Sequence, residues 1–274
     1  MEITIDYSPL IINFYTIMTR ISRLFKEKGK DILSVYFSSG YPTVDSAPRI
    51  IKALSDAGVD MIEIGIPFSD PLADGPVIQR SNSIALKNGI SQKLLFEQIK
   101  DIRKVTDIPL ILMGYINCAM QFGFDDFCKK AKEIGIDGII LPDLPLDEYN
   151  AEYRPIVEKY GLDFIHLITP ETSEERVRKI DEASSGFVYM VSSASTTGAQ
   201  SSFEQSKQDY FKRIKAMNLK NPTLVGFGVS NHETFRAAAD NSCGAIVGSQ
   251  FIKELDANPT IEDAVSSLIK KIKG

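Results

Sequence analysis

The 274-residue sequence contains no tryptophan, two histidines and three cysteines. Cys118, Cys128 and Cys243 are odd in number and lack C-x-x-C spacing, which excludes a disulfide framework and suits a reducing compartment, the cytoplasm. With His166 and His232 as the only imidazoles, there is no ligand set for a structural zinc. A Ser-His-Asp or Cys-His nucleophile has equally little to draw on, so acid–base chemistry falls to carboxylates. Excess positive charge is also missing. Lys and Arg total 31 against 36 Asp and Glu, a net charge of −5, which argues against a nucleic-acid footprint or an anionic-membrane surface. Any bound phosphate must be held locally, against the global field. The apolar stretch from Pro9 to Ile17 falls well short of the ~20 residues that span a bilayer. Residues 1–17 carry Glu2 and Asp6 but no basic n-region and no small-residue cleavage site, so they do not form a secretory signal. They are expected to be a leader outside the fold. No Pro/Gly-rich linker divides residues 18–274, which are expected to form one domain.

What is present is a rhythm. Apolar runs recur at Ile32–Phe37, Met61–Ile66, Leu110–Met113, Gly138–Leu141, Phe164–Ile168, Phe187–Val191, Thr223–Phe227 and Ala245–Val247. Continuous apolar runs suit parallel strands buried on both faces. Helical spacing fills the gaps: Ile21, Leu24 and Phe25; Leu95, Ile99 and Ile102; Phe127, Ala131 and Ile134; and a last helix from Ile261 to Ile272. Thr172 with Glu175, and Ser230 with Glu233, read as capping boxes. Eight βα units predict an α/β fold, a single (β/α)8 TIM barrel over residues 18–274. A doubly wound open sheet is the alternative, but no G-x-G-x-x-G follows the first strand.

Four constellations carry chemistry. Glu63 alternates with Ile62 and Ile64 along its strand, so it shares the face of Met61 and Gly65 and turns toward the barrel axis. A carboxylate in an apolar barrel tends to hold a proton, the state a general acid needs; a Glu that merely reaches water is the bland counterpart. The loop Pro67-Phe68-Ser69-Asp70-Pro71-Leu72-Ala73-Asp74-Gly75-Pro76 follows that strand, on the face where barrel active sites form. Its prolines restrain Asp74, although Asp-Pro and Asp-Gly are also common turn chemistry. Gly226-Phe227-Gly228 and Gly248-Ser249 follow the last two strands, where barrels bind phosphate on backbone N–H groups. Ser192 to Ser202 reads as a flexible linker, or as a mobile lid if it lies over a site.

The fourteen residues from Glu63 to Pro76 closely resemble the signature of tryptophan synthase alpha subunits. Leu112-Met113, Tyr115, Asn117, Pro142-Asp143-Leu144-Pro145, Thr197-Gly198, Gly226-Phe227-Gly228 and Gly248-Ser249 extend the likeness over residues 18–274. The resemblance implies a lyase that splits indole-3-glycerol phosphate into indole and glyceraldehyde 3-phosphate. It implies that Glu63 takes the glycerol hydroxyl proton and protonates indole C3, while Asp74 faces the indole N–H. By the same likeness Tyr36, Leu112 and Tyr189 line the indole pocket. Gly198, Phe227, Gly228, Gly248 and Ser249 hold the phosphate, and Thr197 is a lid residue that contacts Asp74. Asp70 and Pro71 match a region that docks onto a beta subunit, whose pyridoxal phosphate consumes the indole; this chain itself needs no cofactor and no metal. The assembly implied is an alpha2beta2 heterotetramer. The sequence departs from the family at Gly114, often aromatic or Thr, at Ser195, often Gly, at Thr196, often Val, and at Tyr36, where Phe is familiar.

Three rivals stand beside this reading. Another barrel enzyme of phosphorylated intermediates would share the phosphate turns but not the Glu63-to-Asp74 stretch. A silent activator of a beta subunit would have no physical need for a carboxylate in its barrel. A stand-alone lyase that releases free indole would look the same in sequence.

Overall fold

The computed structural model describes residues 18–192, 200–226 and 228–274, with backbone alone from 200 to 207. The expected leader, the lid residue Thr197, Gly198 and Phe227 lie outside the described residues. The strands are β1 (Ile32–Ser38), β2 (Met61–Gly65), β3 (Leu110–Met113), β4 (Gly138–Ile140), β5 (Asp163–Phe164), β6 (Leu167–Ile168), β7 (Val188–Val191), β8 (Thr223–Gly226) and β9 (Gly244–Val247). They pair in parallel in the order β5-β4-β3-β2-β1-β9-β8-β7-β6.

The two ends of that order belong to one apolar run, Phe164–Ile168, expected as a single strand. Its halves serve different neighbours. The Ile165 N–H donates to the Ile139 carbonyl at 3.0 Å, while the His166 carbonyl accepts from the Tyr189 N–H at 3.0 Å. One extended segment therefore bonds β4 on one side and the chain of β7 on the other, closing the sheet into a barrel. The stagger that closure demands is what divides the run.

The helices are α1 (Arg20–Glu27), α2 (Ala47–Asp56), α3 (Pro76–Lys87), α4 (Gln92–Gln98), α5 (Ile116–Phe122), α6 (Phe124–Ile134), α7 (Leu146–Glu148), α8 (Arg154–Lys159), α9 (Glu174–Ala183), α10 (Gln200–Ala216), α11 (His232–Ala239), α12 (Ser249–Ala257) and α13 (Ile261–Lys273). Among the described residues no helix is long and apolar enough to cross a membrane.

Alternation along the strands sorts the apolar residues into two cores. Ile32, Met61, Ile111, Ile140, Phe187, Leu224 and Ile246 fill the barrel interior. Leu33, Val35, Ile62, Ile64, Leu110 and Leu112 face the helices. Ile21 of α1 is fully buried in the inner core, so this helix plugs the N-terminal end. Side chains at Gly138 or Gly186 would press on Ile21 at 3.0 Å, which explains why both are glycine.

Both expected helix caps are displaced by one residue. Ser173, not Thr172, caps α9 by accepting from the Arg176 N–H; the Thr172 hydroxyl instead accepts from the Thr169 N–H. Asn231, not Ser230, caps α11 in a reciprocal box with Thr234.

Candidate active site

Glu63 lies in the middle of β2, fully buried, on the inward face with Met61 and Gly65. Its Oε1 accepts a 2.9 Å hydrogen bond from the Ser34 hydroxyl on β1, and its Oε2 has no partner among the described residues. Burial drives its pKa up to about 8, with the Ser34 hydrogen bond pulling the other way. A carboxyl in this state is protonated at neutral pH and holds its proton loosely enough to transfer it.

Asp74 sits half-buried in the loop between β2 and α3. Local turns fix its backbone: the Asp74 N–H donates to the Pro71 carbonyl at 3.0 Å, and Gln79 Nε2 reaches back to the Asp74 carbonyl at 2.9 Å. Pro76 begins α3 at a position where its missing N–H costs nothing. The side chain is held by Tyr115, which follows β3. The Tyr115 hydroxyl donates to Asp74 Oδ2 at 3.1 Å and accepts from the Ala73 N–H at 3.0 Å. Its ring stacks on Phe68 with centroids 5.1 Å apart. Burial moves the Asp74 pKa up to about 6, again countered by the Tyr115 hydrogen bond. At pH 7 the two carboxyls thus differ in charge, Glu63 mostly neutral and Asp74 mostly ionised.

A cavity of about 370 Å³ opens at the C-terminal mouth, lined by Tyr36, Asp74, Met113 and Tyr189 together with Gly228, Ser230, Gly248, Ser249 and Lys253. Glu63 is not part of this lining. Both phenols point inward against glycines: a Cβ at Gly65 would collide with the Tyr36 hydroxyl, and one at Gly226 with that of Tyr189. Burial raises the pKa of each, and the Tyr189 phenol feels the charges of Glu63 and Asp74 alike. Leu112 was expected in this lining and is not there. It is fully buried in the outer core, while Met113 presents to the cavity. Side chains alternate along β3, so carrying a role over one residue out of register moves it to the opposite face.

The phosphate-type turns converge on the same cavity. Gly228 adopts φ 75°, a conformation that favours glycine. Gly248 caps α12 without a side-chain hydrogen bond, and Ser249 is the first helical residue. The first N–H groups of α12 therefore face the cavity without intrahelical partners, the arrangement that binds anions. Lys253, exposed one turn further along α12, adds a positive charge that the sequence reading passed over.

In the loop after β2, Asp70 is exposed, but Pro71 is buried within this chain. The apolar side chain exposed in this loop is Leu72, at 90%. Sequence reading also missed Tyr115 and Ser34 as partners of the two carboxyls. Tyr115 stood in a recognisable stretch, while Ser34 is one serine inside an apolar run and carries no local signal. Among the described residues no group of His, Cys, Asp and Glu could hold a metal ion.

This geometry has counterparts among known proteins. A sequence model of the tryptophan synthase alpha chain matches residues 23–273. The tryptophan synthase alpha chain of Bacteroides fragilis is 57% identical over 251 residues, 92% of this chain and 95% of its own length. That of Phocaeicola vulgatus is 56% identical over 257 residues, 93% and 100% of the two chains. The crystal structure of tryptophan synthase subunit alpha from Legionella pneumophila aligns with a TM-score of 0.84 at 34% identity, covering 93% of this chain and 97% of that one. The tryptophan synthase complex of Pyrococcus furiosus gives 0.79 at 32%, covering 89% and 99%. By family match, by relatives that share more than half its residues and by fold, the chain belongs to the tryptophan synthase alpha chain family.

Proposed function

We propose that Glu63 and Asp74 divide the work of this family's lyase reaction, the cleavage of indole-3-glycerol phosphate into indole and glyceraldehyde 3-phosphate. The carbon–carbon bond to the ring breaks only once indole C3 is tetrahedral and the ring nitrogen can bear charge. Glu63, protonated, donates to C3. Asp74, ionised, faces the ring N–H and stabilises the cation that results. Glu63, now a carboxylate, takes the proton of the neighbouring glycerol hydroxyl. The carbonyl forms, the bonding electrons return to the ring, and indole leaves. Tyr36, Tyr189 and Met113 would wall the indole, and Gly228, Gly248 and Ser249 would take the phosphate, with Thr197, Gly198 and Phe227 completing the site. The observation that carries this reading is the inward, fully buried Glu63 with an unpartnered oxygen.

The family's pyridoxal phosphate belongs to the beta chain, and the family implies a beta-subunit partner for this chain. Asp70 and Leu72 form the surface we assign to that partner, with Pro71 fixing the turn from beneath. An alpha2beta2 heterotetramer in the cytoplasm, with residues 1–17 outside the barrel domain of residues 18–274, completes the proposal.

The experiment is indole release from indole-3-glycerol phosphate followed against pH, with and without a beta subunit. The active form needs Glu63 protonated and Asp74 ionised, so kcat/KM should peak between limbs near pH 6 and pH 8. Asp74→Asn should still bind a substrate analogue and lose turnover. A flat profile from pH 5 to 9 would remove the assignment of both carboxyls.

A further inference from the structure

The inward positions near Glu63 are mostly apolar: Ile32 on β1, Met61 on β2 and Ile111 on β3. Ser34 interrupts this pattern. It is fully buried on β1, paired in register with Met61, while Glu63 pairs with Tyr36. Ser34 thus stands one two-residue step back along the sheet from the partner of Glu63, and the Glu63 side chain leans toward it to meet its hydroxyl. That 2.9 Å contact is the hydrogen bond Glu63 makes among the described residues, and it leaves Oε2 without a partner. Among the described residues Glu63 is the side chain that the Ser34 hydroxyl bonds, and like Glu63 it stands behind the cavity lining.

We propose that Ser34 is a positioning residue, whose hydroxyl fixes the rotamer of Glu63 and sets how readily its carboxyl gives up a proton. The proposal rests on the reading of Glu63 as the acid and base of the reaction. A lone carboxyl in an apolar barrel would have several rotamers of similar energy. One directed donor selects among them, leaving the other oxygen free for a substrate atom. The donor also favours the ionised form, so it sets the strength of the acid as well as its direction. The titratable groups that face Glu63 are the phenols of Tyr36 on β1 and Tyr189 on β7; Asp74, in the loop after β2, acts on the same two phenols. Burial holds both phenols neutral through the working range, and no cation among the described residues acts on Glu63. Ser34 is thus the group whose removal changes the proton affinity of Glu63 without touching the cavity wall.

The test compares Ser34→Ala, Ser34→Thr and Glu63→Gln in the full chain, with kcat and KM measured from pH 5 to 10. Ser34→Ala should move the alkaline limb upward by about half to one pH unit and lower kcat about fivefold, with KM within twofold. Ser34→Thr, which keeps the hydroxyl, should restore both the limb and most of the rate. A purely structural role for Ser34 would lower the melting temperature and leave the limb in place. If Glu63→Gln abolishes turnover while Ser34→Ala keeps the wild-type limb, this inference falls and the reading of Glu63 stands. If Glu63→Gln keeps its turnover, both fall together.

Discussion

The two ends of the barrel each bury a carboxylate and treat it in opposite ways. At the N-terminal end, Asp137 precedes β4 and is surrounded by donors. Arg20 reaches its Oδ1 at 3.1 Å, and Arg103 and the Leu110 N–H, the latter at 2.8 Å, both reach its Oδ2. Arg103 goes on to bond the carbonyls of Gly135, Thr106 and Ile108, tying the α4–β3 and α6–β4 connections together. Toward the C-terminal end, among the described residues, Glu63 has a single hydroxyl as partner and Asp74 a single phenol. Arginine pairing at Asp137 ties the fold; at Glu63, burial with one hydroxyl as partner among the described residues keeps a transferable proton.

Exchanging the expected outcomes would break the comparison. The largest effect should come from Glu63→Gln, with turnover falling about 10²–10⁴-fold and stability unharmed. Wild-type stability should in addition carry a pH dependence from Glu63. The folded pKa of Glu63 is raised from 4.5 to about 8, so between these values the native chain holds a proton that the unfolded chain has released. Wild-type stability therefore declines as pH rises through that window and levels off above it. Glu63→Gln lacks the effect, so urea midpoints should coincide near pH 4 and diverge in the variant's favour toward pH 8. Parallel curves for the two proteins would show that Glu63 is not buried as described.

Asp137→Ala should do the reverse. It removes the carboxylate shared by Arg20, Arg103 and the Leu110 N–H, at a cost of roughly 3 kcal/mol in unfolding free energy. Turnover measured well below the unfolding transition should stay within about twofold of wild type. A strong loss of kcat in the folded variant would join the two ends in a way the structure gives no reason to expect.

The smallest effect sharpens the picture at the C-terminal end. Tyr115→Phe removes the hydrogen bond that favours ionised Asp74, so the acid limb of the kcat/KM profile should move up from about pH 6. Turnover at pH 8 should fall only a few-fold, because Asp74 is still ionised there. An unmoved limb would show that the contact does not hold Asp74.

The barrel was legible because buried parallel strands write themselves as apolar runs, and seven of those runs each became one strand. The run at Phe164–Ile168 became two, since the hand-over between neighbours depends on barrel stagger and not on composition. Glu63 was legible from alternation with Ile62 and Ile64, which fixes its face from local spacing alone. Leu112 shows the limit of the same rule: period-two alternation gives opposite faces to neighbours, so one residue of misregister exchanged it with Met113. The caps at Ser173 and Asn231 each lie beside another residue able to cap, and only the geometry of the first turn decides between them. Ser34 and Tyr115 act across strands and loops, where sequence distance carries no information.

The phenols of Tyr36 and Tyr189 rest in spaces that exist only because Gly65 and Gly226 have no side chains. Each tyrosine and its glycine therefore behave as one heritable unit. A methyl group at either glycine would push a ring into the cavity, although neither glycine lines it. Removing a hydroxyl would open unused space behind the wall instead. The shape of this cavity can thus be retuned from positions no ligand touches, and a change at one member of a pair alters what the other can tolerate.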